Sequence, residues 1–498
     1  MGSRSESTSA DQAWSLQCRR FPFLKLNCTV QFERCKVNTC TRADRASAET
    51  TQRRPAVPSQ TPTIPTEMDV EIEPIAGRYL TPVGLAMAEG VSALLPTIRA
   101  QAPQAERDGK LSAEVIRGLT DLGIYKAVAP IEHGGFALGA RDLAEIAMAL
   151  GRADASAGWS FFVACSLRMV SSFPAPLVED LYSRAADHSG PTAAGGSTFA
   201  AITGTASRVE GGWQVEGKWT YTSGNHDAAW IFGGVSWHDG ERGGHAIVMM
   251  DPAGLEHLDD WHVSGMGASD SNSVVTRQPM FVADKHFVDL ADLPLHMNSV
   301  ASRFTGLAYQ ARARASMLTV ATQNIAILVG MAEGAFDVFA DLAQKRKPFS
   351  PPYPTIAEMP SAQVAAGKAK AKVNAAKAIL LQYTDQIDHF ATHGGDFSAD
   401  AEAQGSMDLA FAGNLCQESI NLGLQIIGSS AMALSNPLQR FSRDAQVILS
   451  HGALRIESLA EITGRRLLGQ APFDMFAAGL QNKAPTPPTP SSHSIRSE

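Results

Sequence analysis

The stretch QIIGSSAMALSNPLQRFSRDAQVILSHG, residues 425–452, connects the last two long amphipathic segments of this chain. Segments of this kind, with few helix breakers, occupy Gln310–Gln344, Ala362–His393, Met407–Ile427 and Asp444–Leu468. Amphipathic helices of this length bury their apolar faces against one another, and four of them form a bundle. We therefore predict a helical bundle over residues 301–478, with His451 inside its last helix.

Two further regions precede the bundle, one with helical periodicity and one with a period of two. Residues 68–190 are predicted to form a helical domain, because Leu111–Leu122 carries apolar residues at three- and four-residue spacing behind a Ser112 cap. Over residues 191–300 the period changes to two, and Gly211-Gly212 marks a hairpin between two strands. Further short strands are predicted at 229–237, 245–250, 273–276 and 280–282, a spacing that favours a small sandwich or barrel.

The two ends of the chain differ in composition from its centre. Residues 1–67 are rich in Ser, Thr and Arg and end in a proline-rich linker. We expect them to be a disordered or artefactual leader before a functional start at Met68, with a mitochondrial transit peptide as the alternative. Residues 479–498 contain the run PTPPTP and are expected to be a disordered tail.

Composition excludes several functional classes. The net charge is -8 and the basic residues are scattered, which argues against a nucleic-acid-binding protein. There is no uninterrupted apolar stretch of roughly 18 residues, so we expect no membrane span. Outside the N-terminal leader only Cys165 and Cys416 occur. Two isolated thiols in a large chain fit a reducing compartment, and we expect a cytoplasmic protein.

Several short motifs resemble those of the acyl-CoA dehydrogenase superfamily, and in particular its two-component monooxygenases that use reduced flavin. They are Ala153–Trp159, Trp219–Gly224, Trp261–Met266 and Ser269–Ser271. Each motif alone is weak, because tryptophans and glycines in strands and turns are commonly structural. Their order across three regions is specific, and the resemblance covers residues 80–475. It implies an α+β, mostly α, acyl-CoA dehydrogenase fold: an N-terminal helical domain, a central β-sandwich or barrel and a C-terminal four-helix bundle.

His451 replaces a residue that defines chemistry in this superfamily. Many of its dehydrogenases carry a glutamate base at about this place, whereas this chain reads Ser450-His451-Gly452. The resemblance therefore points away from dehydrogenation and implies that His451 acts on substrate or oxygen as an acid or base near neutral pH. The alternative is a buried histidine whose ring is satisfied by neighbouring helices.

The resemblance also implies a set of flavin contacts. Ser223 is expected beside the flavin C4a–N5 edge, as a second catalytic residue, although a turn serine is the plainer interpretation. Trp261 is expected against the flavin ring, and Arg346 at a flavin phosphate of a neighbouring subunit, unless it belongs to a solvated charge run. The remaining predicted contacts are Trp219, Thr222, Ser269 and Ser271.

The implied reaction requires a partner. The chain shows no Rossmann or P-loop fingerprint, so we expect it to bind no nicotinamide. A separate flavin reductase is then expected to supply reduced FMN, with FAD as a possible substitute. The resemblance implies a homotetramer in which O2 reacts to give a C4a-(hydro)peroxyflavin. This species is expected to hydroxylate or oxygenate a small aromatic or heteroaromatic molecule. Several family hydroxylases have a second histidine at or near Ala164, and its absence predicts a more apolar pocket.

Two other functions remain open at this point. An acyl-CoA dehydrogenase or oxidase with FAD needs a carboxylate base, yet none stands at position 451, and no Asp or Glu occurs from Leu293 to Ala332. A catalytically silent scaffold of the same fold is the second alternative. Titration with flavin distinguishes the two.

Overall fold

Helices come first along the chain, then strands, then helices again, as the periodicities predict. The computed structural model describes residues 79–195, 202–240, 242–349 and 351–471. The predicted leader, residues 1–67, and the predicted tail, residues 479–498, lie outside the described residues. None of the helices in the described ranges is long and apolar enough to span a bilayer.

The N-terminal region is helical, and polar caps set its helix boundaries. Ser112 accepts a hydrogen bond from the Val115 N–H at 3.2 Å, which confirms the predicted cap. Asp154 accepts from the N–H groups of Ser156 and Ala157, so the chain turns between the third and fourth helices. The helices are α1 Pro82–Asp108, α2 Ala113–Asp121, α3 Ala140–Ala153, α4 Ala155–Ala164, α5 Leu167–Val170 and α6 Ala175–Ala185.

The central region contains two sheets. The strands are β1 Ala193–Gly195, β2 Gly204–Val209, β3 Gly212–Glu216, β4 Lys218–Trp219, β5 Trp230–His238, β6 Gly243–Met250, β7 Leu255–His257, β8 Val274–Thr276, β9 Met280–Ala283 and β10 Phe287–Asp289. The larger sheet has the order β10-β6-β5-β2-β3-β9, with β1 also paired to β5. The smaller sheet has the order β4-β8-β7. Antiparallel pairing of Val209 with Gly212 confirms the predicted hairpin.

The C-terminal region is again helical. Its helices are α7 Leu293–Arg303, α8 Leu307–Gln310, α9 Ala313–Lys345, α10 Pro360–His393, α11 Ala399–Ile427, α12 Pro437–Leu449 and α13 Ile456–Leu467. Helices α9, α10 and α11 pack on one another, and α12 and α13 both pack on α11. Helix α7 crosses the predicted boundary at residue 300.

The prediction of one helix over Asp444–Leu468 is wrong, because the chain leaves the helical path after α12. His451 has a non-helical backbone conformation, with φ -59° and ψ 136°. Its ring Nδ1 accepts a hydrogen bond from the Ala453 N–H, a local bond that competes with the helical one. His451 therefore lies in a turn between two helices and not on a helix face.

Helix α9 joins the N-terminal helices to the bundle through glycines. A Cβ atom added at Gly330 would lie 2.1 Å from the Met148 carbonyl oxygen, and one at Gly151 would lie 2.3 Å from the Ile327 carbonyl oxygen. The backbones of α3 and α9 thus touch where side chains would separate them. The middle of α9 is therefore held directly against α3.

Candidate active site

A cavity of about 700 Å³ lies where the helical regions meet the loops of the smaller sheet. Its wall includes side chains of α4, α5 and α9, and the turn after α12. This volume is typical of sites for small molecules and cofactors. The cavity brings together five of the predicted site residues, which are Ser223, Trp261, Ser269, Ser271 and His451.

Pairing in the smaller sheet brings three serine hydroxyls together. Trp219 at the end of β4 pairs with Val274 at the start of β8, so the loop after β4 lies beside the loop before β8. The Ser223 and Ser271 hydroxyl oxygens are 2.7 Å apart. The Ser271 and Ser269 hydroxyl oxygens are also 2.7 Å apart. These side chains form a hydrogen-bonded row along the cavity wall.

Trp159 on α4 connects this serine row to His451. Its indole Nε1–H donates to the Ser223 hydroxyl oxygen at 3.1 Å. Its ring meets the His451 ring edge to face, with 5.7 Å between the centroids. Because an indole N–H can only donate, the Ser223 oxygen accepts here, and the Ser223 proton is available to Ser271 or to a ligand. The sequence motif contained Trp159, yet nothing in it assigned the residue a role.

The loops around the cavity are strained. Tyr221, Met266 and Asp270 have φ values of 57°, 60° and 50°. Non-glycine residues rarely adopt such values, and they persist where the surrounding structure imposes them. The Met266 N–H donates to a carboxylate oxygen of Asp444 at 2.6 Å. Asp270 accepts from the His226 N–H at 2.8 Å and pairs with its ring at 2.7 Å.

Helix α12 anchors the loop of residues 262–270. Arg443 donates to the Ser264 carbonyl oxygen and forms an ion pair with Glu106 of α1 at 2.7 Å. Asp444 is 3% exposed. Burial raises the pKa of Asp444, and the nearby Asp154 carboxylate raises it further. The middle of α12 therefore supports the loop of residues 262–270, which we call the serine loop, and His451 lies just after the end of the same helix.

The His451 side chain lines the cavity and also contacts the Trp159 ring and the Ala453 backbone. Burial lowers its pKa below the ordinary value, because the charged ring loses hydration. Nδ1 lies 3.4 Å from the Ala453 N–H, a donor that favours an unprotonated nitrogen there. Both effects favour a neutral ring at pH near 7, with its proton on Nε2.

Trp261 and Tyr221 form an aromatic edge of the cavity. The Trp261 indole donates to the Met266 carbonyl oxygen at 3.0 Å, which fixes the plane of the ring. Tyr221 meets it edge to face, with 5.9 Å between the centroids. Aromatic surfaces beside hydroxyl groups fit a flat, polar-edged ring system such as a flavin. No Lys or Arg lines this cavity in the described chain, so a flavin phosphate would extend beyond it.

Three other predicted contacts do not line the cavity. Trp219 is fully buried and donates to the Gly234 carbonyl oxygen at 2.9 Å. Thr222 donates to the Trp219 carbonyl oxygen at 3.0 Å and so supports the Ser223 loop from behind. Arg346 follows the end of α9 and donates to Ser430.

The predicted apolar character of the pocket arises from neighbours of Ala164. Ala164 itself is buried and does not line the cavity, whereas Val163 and Cys165 do. The apolar wall continues through Phe162, Met169, Val170, Phe173, Phe232 and Ile247. Within the described ranges, no cluster of His, Cys, Asp and Glu could hold a metal ion.

Comparison with known families gives two matches. The family described as acyl-CoA dehydrogenase, N-terminal domain, matches residues 87–173. The family described as acyl-CoA dehydrogenase, C-terminal domain, matches residues 324–456. The second match contains the cavity residues from Val447 to Gly452, whereas Val320 and Gln323 of α9 precede its first residue.

Curated relatives extend over most of the chain. A pigment production hydroxylase of a Rhodococcus species is 26% identical over 394 residues, covering 76% of this chain and 95% of the relative. The oxygenase subunit HsaA of a flavin-dependent monooxygenase of Mycobacterium tuberculosis is 25% identical over 383 residues, with 76% and 95% covered.

Solved structures share the same architecture. XiaF from a Streptomyces species, in complex with FADH2 and glycerol, superposes with a TM-score of 0.71 at 22% identity, covering 79% of this chain and 97% of that one. The dibenzothiophene monooxygenase TdsC from a Paenibacillus species, with FMN and indole, has a TM-score of 0.65 at 18% identity, with 77% and 97% covered. At these identities the likeness shows a common fold.

Proposed function

We infer a function from the premise that this chain belongs to the acyl-CoA dehydrogenase superfamily, whose N-terminal and C-terminal domains it contains. The resemblance stated from the sequence is thereby confirmed. The expected fold is confirmed as well, because structures of the same architecture match nearly their whole length. Membership alone leaves dehydrogenases, oxidases and monooxygenases open, so the choice among them depends on the cavity.

We propose that the chain is the oxygenase component of a flavin-dependent monooxygenase that acts on small aromatic molecules. One observation carries the proposal: His451 and the Ser223 hydroxyl face a single cavity, and no Asp or Glu in the described chain lines it. A dehydrogenase needs a carboxylate base there. The names of the relatives, a hydroxylase and a monooxygenase subunit, support the same choice.

The cavity residues would have different roles in such a reaction. A bound reduced flavin would supply the electrons and activate O2. Ser223, with its oxygen committed to the Trp159 indole, can offer its proton to a negative atom in the cavity. His451, neutral at pH near 7 and with Nδ1 engaged by the Ala453 N–H, can donate a hydrogen bond from Nε2–H to the substrate or to oxygen in the cavity. The apolar wall excludes water, which limits side reactions.

The proposal includes the cofactor and the assembly expected from the sequence. We propose reduced FMN from a separate reductase, with FAD as the alternative, since the related structures hold FMN in one case and FADH2 in another. The relative HsaA is named as an oxygenase subunit, which fits a partner that delivers electrons. A homotetramer, in which Arg346 reaches a neighbouring flavin, and a cytoplasmic location belong to the same proposal.

Reductase dependence tests the proposal. The purified protein, mixed with NADH, FMN and an aromatic probe such as indole, should oxidise NADH negligibly. Adding a flavin reductase should give oxygenated product, and isotopically labelled O2 should place its label in that product. Rapid NADH oxidation without reductase would contradict the proposal. Bleaching of bound FAD by acyl-CoA would support a dehydrogenase, and absence of flavin binding would support a silent scaffold.

A further inference from the structure

The cavity wall carries no full charge. None of the side chains that line it in the described ranges is Asp, Glu, Lys or Arg. Arg168 of α5 follows the lining residue Ser166, but its guanidinium donates to the Ala308 carbonyl oxygen at 2.6 Å and to Ser316. A carboxylate inside this cavity would lose its hydration without gaining a free cation. The wall therefore disfavours charged ligands.

Gln323 is a polar exception in the wall that α9 contributes. It is 4% exposed and lines the cavity one turn after Val320. A carboxamide offers two N–H donors and an acceptor oxygen. Among the described residues no hydrogen bond to this side chain forms, and its amide atoms are not sealed off from the cavity. A ligand in the cavity can supply the missing partner.

The neighbouring residue provides a contrast. Asn324 is also buried on α9, but its amide nitrogen donates to the Val320 carbonyl oxygen at 3.2 Å and it does not line the cavity. The Asn324 amide oxygen has no hydrogen-bond partner among the described residues either, but protein atoms enclose it, whereas the Gln323 side chain reaches the cavity. The two adjacent amides allow a matched comparison in the same helix.

We propose that Gln323 determines substrate specificity by pairing with one neutral polar group, an N–H, O–H or carbonyl, of an uncharged fused aromatic substrate. The rest of that substrate contacts the apolar wall formed by Phe162, Met169, Val170 and Phe173. This inference rests on the proposed function, because it takes the cavity as the oxygenase pocket. It adds Gln323 to the residues proposed for the pocket, and it excludes substrates that carry a carboxylate.

Three ligands of the same ring size test the proposal. Indole carries an N–H, indene lacks it, and indole-3-acetate adds a carboxylate. Their affinities are measured by calorimetry on the protein with oxidised FMN and no reductant, so that no turnover occurs. Wild type should bind indole about fivefold more tightly than indene. Indole-3-acetate should bind at least about tenfold more weakly than indole.

Variants assign the preference to one amide. Gln323→Met should bring the indole-to-indene ratio close to one while indene affinity stays unchanged, and Asn324→Leu should keep the wild-type ratio. A wild-type ratio near one, failure to bind either ring, or tight binding of indole-3-acetate would overturn the proposal, and the wild-type measurements need no variant. A preserved ratio in an enzyme that oxygenates nothing would instead leave the role of Gln323 standing and refute the proposed function.

Discussion

Trp159 determines what the two predicted catalytic residues can do. Its N–H donates to the Ser223 oxygen at 3.1 Å, and its ring packs edge to face with that of His451. Because the Ser223 oxygen accepts a hydrogen bond from tryptophan, its hydroxyl proton remains available for donation. The Trp159 N–H thus orients the Ser223 hydroxyl without any charged neighbour. His451 gains an apolar neighbour that favours its neutral form. The roles that we propose for Ser223 and His451 thus depend on contacts with one uncharged side chain.

The first prediction concerns His451 itself. His451→Ala should lower product formation by at least about a hundredfold, because an acid or base group near the substrate is lost. FMN affinity and the melting temperature should stay unchanged, since Nδ1 makes only a local bond. His393→Ala removes an exposed histidine at the end of α10 and is the matched control. Normal product formation by His451→Ala would return this residue to a structural role.

The pH profile adds an independent readout for His451. Burial lowers its pKa, so the neutral ring persists below the ordinary value of about 6.5. If the neutral ring is the active form, activity falls only as the pH drops through that lowered pKa. The acidic limb of the rate profile should disappear from His451→Ala. A limb shared by both enzymes would belong to another group.

At the scale of elements, a side chain of one helix caps another. The N-cap of α3 is Gly139, which has no side chain. Asp388 of α10 accepts from the N–H groups of Ala140 and Arg141, each at 2.8 Å. Asp388 is 1% exposed, and burial raises its pKa to about 7 although these donors oppose the shift. A side chain of the bundle therefore supplies the N-terminal cap of helix α3 in the N-terminal domain.

The second prediction follows from this cap. Asp388→Ala should lower the free energy of unfolding by about 1–2 kcal/mol or more, because two buried donors lose their acceptor. Asp388→Asn keeps an acceptor oxygen and should cost less. The folded carboxyl holds its proton up to about pH 7, whereas the unfolded one ionises near 3.9. Stability should therefore fall as the pH rises between these values.

Urea unfolding at a series of pH values checks both parts. The Asn variant has no group to titrate at this position, so the decrease in stability between about pH 4 and 7 should be smaller than in wild type. Equal stability of Asp388→Ala and wild type would show that water or backbone replaces the cap. An unchanged slope in Asp388→Asn would assign the pH dependence to other carboxyl groups.

At the scale of the whole molecule, the candidate active site is a joint at which three regions contact one another. The serine loop belongs to the central sheets, Glu106 to the first helix and Arg443 to the bundle. Gly265 lies against the bundle so closely that an added Cβ would be 2.6 Å from the Arg443 carbonyl carbon. The packing of these regions on one another therefore also shapes the cavity wall.

The third prediction tests this joint. Gly265→Ala should push the loop away from α12, lower the free energy of unfolding by about 1–3 kcal/mol and weaken FMN binding. Gly464→Ala is the matched control, because a Cβ there meets nothing within 4 Å. In the interior of α13 it should stabilise the protein by up to about 1 kcal/mol. Calorimetric melting and FMN titration measure both effects, and wild-type behaviour of Gly265→Ala would contradict the proposed joint.

Patterns within short stretches determined the order of regions. The period of two around Gly211-Gly212 predicted the hairpin, and the spacing of apolar residues predicted the long helices of the bundle. These signals are local, since each depends on residues that are neighbours in a strand or a helical turn. The motifs around Ser223, Trp261 and His451 also named residues that the structure brings into one cavity.

Only the tertiary structure decided how these residues act. The break after α12, which placed His451 in a turn, is a local change of backbone path that the spacing of apolar residues does not register. Trp159 and Ser223 are 64 positions apart, and their hydrogen bond exists because a helix and a sheet edge pack together. Gln323 has no distinguishing sequence signal, because a polar residue on a long helix usually faces water. Its unpaired, buried amide became visible through the packing of distant segments around it, which no local pattern encodes.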